Sequence, residues 1–210
     1  MDMNTIYESV VKGDMTAVET GVKAAIDEGT RPEVILNEGL IKAMDEVGTR
    51  FEAGEFFVPE MLIAARAMKA GIAILRPLLA ESGIEPVGKM VIGTVSGDLH
   101  DIGKNLVGLM MEGAGFEVID VGTDVSADAF VEAIKKEQPN LLGLSALLTT
   151  TMPGATEVIQ KLNEANLRDS VKIMIGGAPV TQEFADQIGA DGYASDAASA
   201  TKKAKTLLGL

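Results

Sequence analysis

Two hydrophobic periods divide the chain. Up to about Ser82 the apolar positions return every three to four residues, the spacing of one helix face, and no convincing alternating run interrupts them. The pattern predicts four helices. The first covers 4–12, and the second runs from a cap at Asp14 to Glu28, where Gly29 stops it. The third opens on Thr30-Arg31-Pro32-Glu33, a capping-box pattern, and keeps Leu36, Leu40, Met44, Val47 and Phe51 on one face. The fourth follows Pro59. Its Met61, Ala65, Met68, Ile72, Leu75 and Leu79 alternate spacings of four and three, as the seam of a bundle requires. Residues 1–85 therefore read as a four-helix bundle domain.

Past a Gly- and Pro-bearing connector at 83–88, short β-rich runs alternate with amphipathic helices. The strands fall at 89–95, 116–121, 140–145, 172–175 and 192–194, and the helices at 102–115, 127–138, 152–166, 182–188 and 196–208. Strands separated by helix-length segments call for crossover connections and hence a parallel sheet. Residues 88–210 are thus predicted to form an α/β domain, flavodoxin-like (Rossmann-like), with five parallel strands. Ligands of such sheets collect at the C-terminal ends of the strands.

Composition narrows the chemistry. The chain has no Cys, which excludes a disulfide framework, a thiolate zinc site, an iron–sulfur cluster and cysteine nucleophilic catalysis. A formal charge of −13 argues against nucleic acid as a partner, because phosphate backbones are bound through clustered Lys and Arg. No apolar run reaches the roughly 18 residues that span a bilayer, and the N-terminus lacks the basic stretch and apolar core of a secretory signal. The expectation is a cytoplasmic protein with no membrane partner. His100 is the only histidine, so chemistry that needs two imidazoles in this chain is excluded.

That histidine stands at the end of the first strand, in Ser96-Gly97-Asp98-Leu99-His100-Asp101-Ile102-Gly103-Lys104. A metal-ligating His needs an acceptor for its other ring nitrogen, and Asp98, two residues earlier, supplies one. Gly97 and Gly103 would let backbone approach something bulky. A lone His beside an Asp in a loop is nevertheless more often an exposed or hydrogen-bonded residue than a metal ligand. Two further strand ends break the tie: Gly143-Leu144-Ser145-Ala146-Leu147-Leu148-Thr149-Thr150-Thr151, rich in hydroxyls, and Gly176-Gly177-Ala178-Pro179.

Asp98-x-His100-x-x-Gly103, then 41 residues, Ser145-x-Leu147, then 28 residues, and Gly176-Gly177 resembles the cobalamin-binding signature of methionine synthase, corrinoid methyl carriers and cobalamin-dependent mutases. The helical half, with Gly54-Glu55-Phe56-Phe57-Val58-Pro59-Glu60-Met61, is similar to the cap module of methionine synthase and of small corrinoid proteins. Mutases lack this cap, so the resemblance points to methyl transfer. It implies a cobalamin or related corrinoid, alternating between methylcobalamin and cob(I)alamin, whose cobalt exchanges its own benzimidazole base for His100. Asp98 would orient the ring, and Thr151 would extend the relay where methionine synthase has serine. Gly97, Leu99, Asp101, Ile102 and Gly103 would complete the cofactor loop. Ser145, Leu147 and Thr149 would line the channel for the nucleotide tail, with Gly176 and Gly177 letting it pass close to backbone. Tyr193 and Ala194 would meet the buried base, and Phe51, Val58 and Met61 would cover the methyl face. The alternative is that all three are simply bundle core, and for Phe51 periodicity alone supports that.

The resemblance implies a carrier that does not turn over alone. Its expected partners are a substrate-specific methyltransferase, an acceptor methyltransferase passing methyl to tetrahydrofolate or a thiol, and a reductive activase. Methylamines, methanol, methoxylated aromatics and betaines all remain open as donors. A cobalamin-dependent sensor is the alternative function; such sensors carry a DNA-binding helix-turn-helix, for which no basic segment is found. A mobile cap hinged across residues 82–87 is also expected.

Overall fold

The computed structural model describes residues 2–82 and 85–210 of the 210-residue chain. The described residues form two compact units, Met1–Val87 with Glu112–Gly115, and Gly88–Met111 with Phe116–Leu210. Gly83 and Ile84, inside the expected hinge at 82–87, lie outside the described residues.

In the first unit α1 covers Met3–Val11 and α2 Met15–Asp27. Both open on an Asp whose side chain accepts a backbone N–H of the first turn, Asp2 from Asn4 and Asp14 from Ala17. A continuous helical run over 32–52, here α3, includes a π stretch at Ile35–Ile41. The long α4 spans Val58–Glu81 and continues through Pro77.

Two expectations change within α3. The Thr30–Glu33 capping box does not form: Arg31 is the N-cap, without a side-chain cap bond, and Glu33 instead pairs with Arg31 at 2.9 Å. Pro32 is the reason. It occupies the first helical position and holds the preceding residue extended, at φ −64 and ψ 137, so the helix starts one residue later than the box requires. The π stretch widens the turn and rotates the apolar face. Ile35, Gly39 and Leu40 are buried while Leu36 is only half-buried. Beyond it Met44 and Val47 are core, as the periodicity requires. Along α4, Met61, Ala65, Met68 and Leu75 are buried, and Ile72 is half-buried.

The second unit alternates β1 Lys89–Thr94, α5 Ile102–Gly113, β2 Glu117–Asp120, α6 Ala127–Glu137, β3 Leu141–Ser145, α7 Pro153–Glu164, β4 Lys172–Gly176, α8 Gln182–Ile188, β5 Gly192–Tyr193 and α9 Ala197–Leu207. All strand pairs are parallel, in the order β2-β1-β3-β4-β5. The central strands read as continuous apolar runs because helices cover both faces; β1 is buried from Met90 onward, whereas edge strand β2 is exposed at both ends. Val91, Leu142, Leu144, Ile173 and Ile175 face Phe130 and Ile134 of α6 and Val158 and Leu162 of α7. Met90, Ile92, Leu141 and Met174 alternate with them and point to the opposite face. Burying a side chain such as Phe130 contributes roughly 1.5–3 kcal/mol.

This strand order puts a switch point between β1 and β3. The chain leaves β1 toward β2 on one side and later moves outward through β4 and β5 on the other, so the loops following β1 and β3 diverge and leave a crevice. Register aligns the exits: Thr94 pairs with Ser145 and Ser145 with Gly176, so three loops leave the sheet at one level.

Candidate functional site

Asp98 is the centre of the crevice. It is 1 % exposed. One carboxylate oxygen accepts the His100 N–H at 3.0 Å and lies 2.7 Å from His100 Nδ1; the other accepts the Leu147 N–H and the Thr151 hydroxyl, each at 2.7 Å. Burial alone would push this carboxyl up. The bonds from Thr151, from the Leu147 N–H and from the backbone and ring of His100 outweigh it and hold the carboxyl well below the usual carboxylate range. An ionised carboxylate only accepts, so the shared proton belongs to Nδ1 and the lone pair of the neutral ring to Nε2. No described residue hydrogen-bonds Nε2. The imidazole is half-exposed, 52 % for its side chain, beside a fully buried Asp98 side chain. The result is an oriented imidazole whose Nε2 could serve as a ligand.

Local sequence explains this arrangement. Gly97 takes φ +80, which turns the chain at the end of β1 so that Asp98 points inward. Helix α5 begins at Ile102, immediately past the histidine, and fixes the far end of the loop. Thr94, buried in β1, donates its hydroxyl to the His100 carbonyl at 2.9 Å.

The β1 and β3 exits named from sequence meet here. Leu99 and Ile102 are 74 % and 80 % exposed, and Leu147 is exposed as well, an apolar rim around a polar centre. Asp101 and Thr149 are exposed and Ser145 is half-buried. A Cβ on Gly103 would meet nothing within 4 Å, so its backbone is open on that side. Gly177 differs. Its φ is +136, and a Cβ there would stand 1.8 Å from the Ala146 carbonyl oxygen, so the chain's own β3 exit already demands glycine. Gly176 would meet the Ala194 carbonyl at 3.2 Å. Tyr193, half-buried, packs on the sheet core beside buried Ala194. Phe51, Val58 and Met61 belong to the helical unit. Met61 is fully buried there, Phe51 half-buried, and Val58 exposed at the start of α4.

Sequence reasoning missed four contributors. The Leu147 backbone N–H, rather than its side chain, reaches Asp98. Thr94 secures the His100 peptide. Lys104, buried on α5, forms an ion pair with Asp120 at the end of β2 and donates to Asn105 at 2.8 Å. Asp124 bonds the Gly97 N–H. Only Lys104, a lysine within the motif itself, carried a local signal.

The donor set fits one kind of metal. Among the described residues no group of three or more His, Asp or Glu side chains could hold an ion. One presented imidazole suits a metal that arrives already held by a macrocycle, with a single axial position for protein to fill. The open Gly103 and the exposed Leu99, Ile102 and Leu147 offer a largely apolar surface beside it.

Comparison with known proteins agrees with this chemistry. Residues 88–202 match a B12 binding domain family model, and residues 3–76 match a second model described as a B12 binding domain. A corrinoid protein of Desulfitobacterium hafniense (strain Y51) is 43% identical over 210 residues, covering 99% of this chain and 97% of the relative. Dimethylamine corrinoid protein 1 of Methanosarcina acetivorans is 45% identical over 212 residues, covering 99% of this chain and all (100%) of the relative. Among solved structures, a cobalamin-binding protein from Desulfitobacterium hafniense DCB-2 superposes with a TM-score of 0.82 at 31% identity, covering 99% of this chain and 98% of that one. The methanol:cobalamin methyltransferase complex of Methanosarcina barkeri gives 0.87 at 32% identity, covering 99% of this chain and 80% of the matched chain. No helix among the described residues is long and apolar enough to cross a membrane.

Proposed function

We propose that this chain, which belongs to the family of B12-binding corrinoid proteins, carries a methyl group between a methylamine-specific methyltransferase and a second methyltransferase that passes it to tetrahydrofolate or a thiol. The carrying observation is the Asp98–His100 couple at the switch point, an imidazole with Nδ1 occupied and Nε2 presented. When bound, the corrinoid would supply a cobalt able to accept and release methyl. His100 would hold it through Nε2 in place of the cofactor's own base. Asp98 fixes the tautomer by accepting the Nδ1 proton, and Thr151 and the Leu147 N–H keep Asp98 ionised. A proton entering this relay weakens the imidazole as a ligand, which couples ligation to the stage of transfer.

Ser145, Leu147, Thr149, Gly176 and Gly177 flank the path proposed for the cofactor tail, ending at Tyr193 and Ala194. In the helical domain, Val58 is exposed, Phe51 half-buried and Met61 fully buried, and the trio is proposed to cover the methyl face. Exclusion of water from the reacting cobalt requires such a cover, and transfer requires it to move. A reductive activase is the expected third partner, restoring cobalt after adventitious oxidation. The site is expected to work in the cytoplasm.

Methylamine is the favoured donor class because several relatives at 44% to 53% identity are named dimethylamine corrinoid proteins, while the methanol complex stands at 32%. The test is reconstitution with cobalamin and reduction, followed by mixing with dimethylamine and a dimethylamine-specific methyltransferase, or methanol and a methanol-specific one. A spectral conversion at cobalt with the first pair alone is expected. Conversion with methanol alone overturns the donor assignment, and absence of corrinoid bands after reconstitution overturns the carrier reading.

A further inference from the structure

The loop bearing His100 is held from three directions, and only one support comes from outside the β1–β3 crevice. Strand β1 holds its far end through the Thr94 hydroxyl on the His100 carbonyl, 2.9 Å. The β3 exit holds Asp98 through Leu147 and Thr151. Between β1 and these anchors lies Ser96-Gly97. Gly97, at φ +80, is the pliable link, and its would-be Cβ comes no nearer than 3.8 Å to Thr151.

Asp124, in the loop after β2, grips that link. Its carboxylate accepts the Gly97 N–H at 2.7 Å, lies 3.4 Å from the Ser96 hydroxyl, and its own N–H donates to the Asp98 carbonyl at 2.9 Å. Asp124 itself sits at φ +53, a left-handed conformation that Asp tolerates better than most residues. Neighbouring bonds stitch the two loops in parallel: Thr94 N–H to the Gly122 carbonyl and Val125 N–H to the Thr94 carbonyl, each 3.0 Å.

We infer that Asp124 is a positioning residue for cobalt ligation: by clamping Gly97 it holds Asp98 and His100 in the ligand-presenting geometry before the corrinoid arrives. The inference rests on His100 being the axial ligand. A clamped loop loses little conformational freedom on binding, so more of the imidazole's affinity for cobalt survives. Without the clamp, rotation at Gly97 spreads Asp98 and His100 over alternatives, and the His-off population grows.

The test uses the full chain reconstituted with cob(II)alamin and reads the nitrogen hyperfine splitting of the cobalt paramagnetic spectrum, which separates His-on from His-off. Asp124→Gly removes the acceptor while easing the backbone; Asp124→Asn keeps an acceptor oxygen and tolerates the same φ. For Asp124→Gly the His-on to His-off ratio is expected to fall roughly tenfold, the scale of one charge-assisted hydrogen bond. Asp124→Asn is expected to restore most of it, with corrinoid uptake retained in both. Equal ratios in parent and Asp124→Gly would overturn the inference. So would equal losses in Gly and Asn variants, which mark a general loss of the loop. If the parent itself shows no histidine nitrogen, the reading of His100 as axial ligand fails first, and the two failures are told apart.

Discussion

Nδ1 of His100 lies 2.7 Å from a carboxylate oxygen of Asp98, two residues back in the same loop, and that carboxylate is almost entirely buried while the imidazole is half-exposed. The pair is therefore asymmetric. Asp98 belongs to the protein's interior and His100 to whatever the interior presents. The consequences for substitution differ accordingly.

His100→Ala removes a half-exposed ring and leaves Asp98 three donors. The fold should survive, with Tm within about 2–4 °C of the parent, the shift of a roughly 1 kcal/mol change in a chain of this size. Corrinoid should still be taken up, and the nitrogen hyperfine signature at cobalt should vanish. Retention of that signature assigns the axial nitrogen elsewhere.

Asp98→Asn costs more in the apo protein. An amide presents one acceptor and one donor where four donors converge, so its NH2 opposes either the His100 N–H groups or the Leu147 N–H. A loss of about 1–3 kcal/mol is expected by denaturant titration. The His-on fraction of the reconstituted protein should fall without disappearing, because the imidazole remains but its tautomer is no longer selected.

Acid should act through the same carboxyl. Its folded-state pKa is depressed, so its stabilising contribution is complete above the unfolded value of about 3.9 and is lost as pH falls toward the lower folded value. Apo-protein stability measured between about pH 6 and pH 2 should decline less steeply in Asp98→Asn than in the parent. Parallel declines would show that Asp98 is not strongly depressed.

Two glycines separate folding from binding. Gly177→Ala drives a Cβ into the Ala146 carbonyl at a φ that side chains avoid, so a loss of roughly 3 kcal/mol or more, or failure to accumulate, is expected. Gly103→Ala meets no protein atom. Its apo stability should match the parent's while corrinoid uptake, followed by visible absorbance, weakens. Unimpaired uptake would remove Gly103 from the cofactor surface.

Much of this molecule follows from local pattern. Helical and strand periods depend on neighbours within a few residues, so all five strands could be read to within about two residues. Chemical rarity did the rest: a single histidine two residues from a carboxylate, spaced to a hydroxyl-rich exit and a diglycine, resembled one family closely enough to name the cofactor. Where the reading slipped, nearby geometry overrode pattern. Pro32 moved the α3 cap to Arg31, and the π stretch at Ile35–Ile41 brought Ile35 to the core face ahead of Leu36.

The tertiary structure decided what lies far apart in the chain. Asp98 meets Thr151, 53 positions away, only because strand order makes β1 and β3 neighbours, and their parallel register brings both exits to one level. No pattern announces the Leu147 N–H as a donor to Asp98, since every residue but proline carries the same group and position alone selects it. Asp124 reads from sequence as one of many turn aspartates. Gly177 looked like room for a ligand, and the fold uses it first to let one strand exit pass another. The residues that could be the site were written in their types and spacing; their contacts came from the sheet, because distance in space is set by strand order and register rather than by separation along the chain.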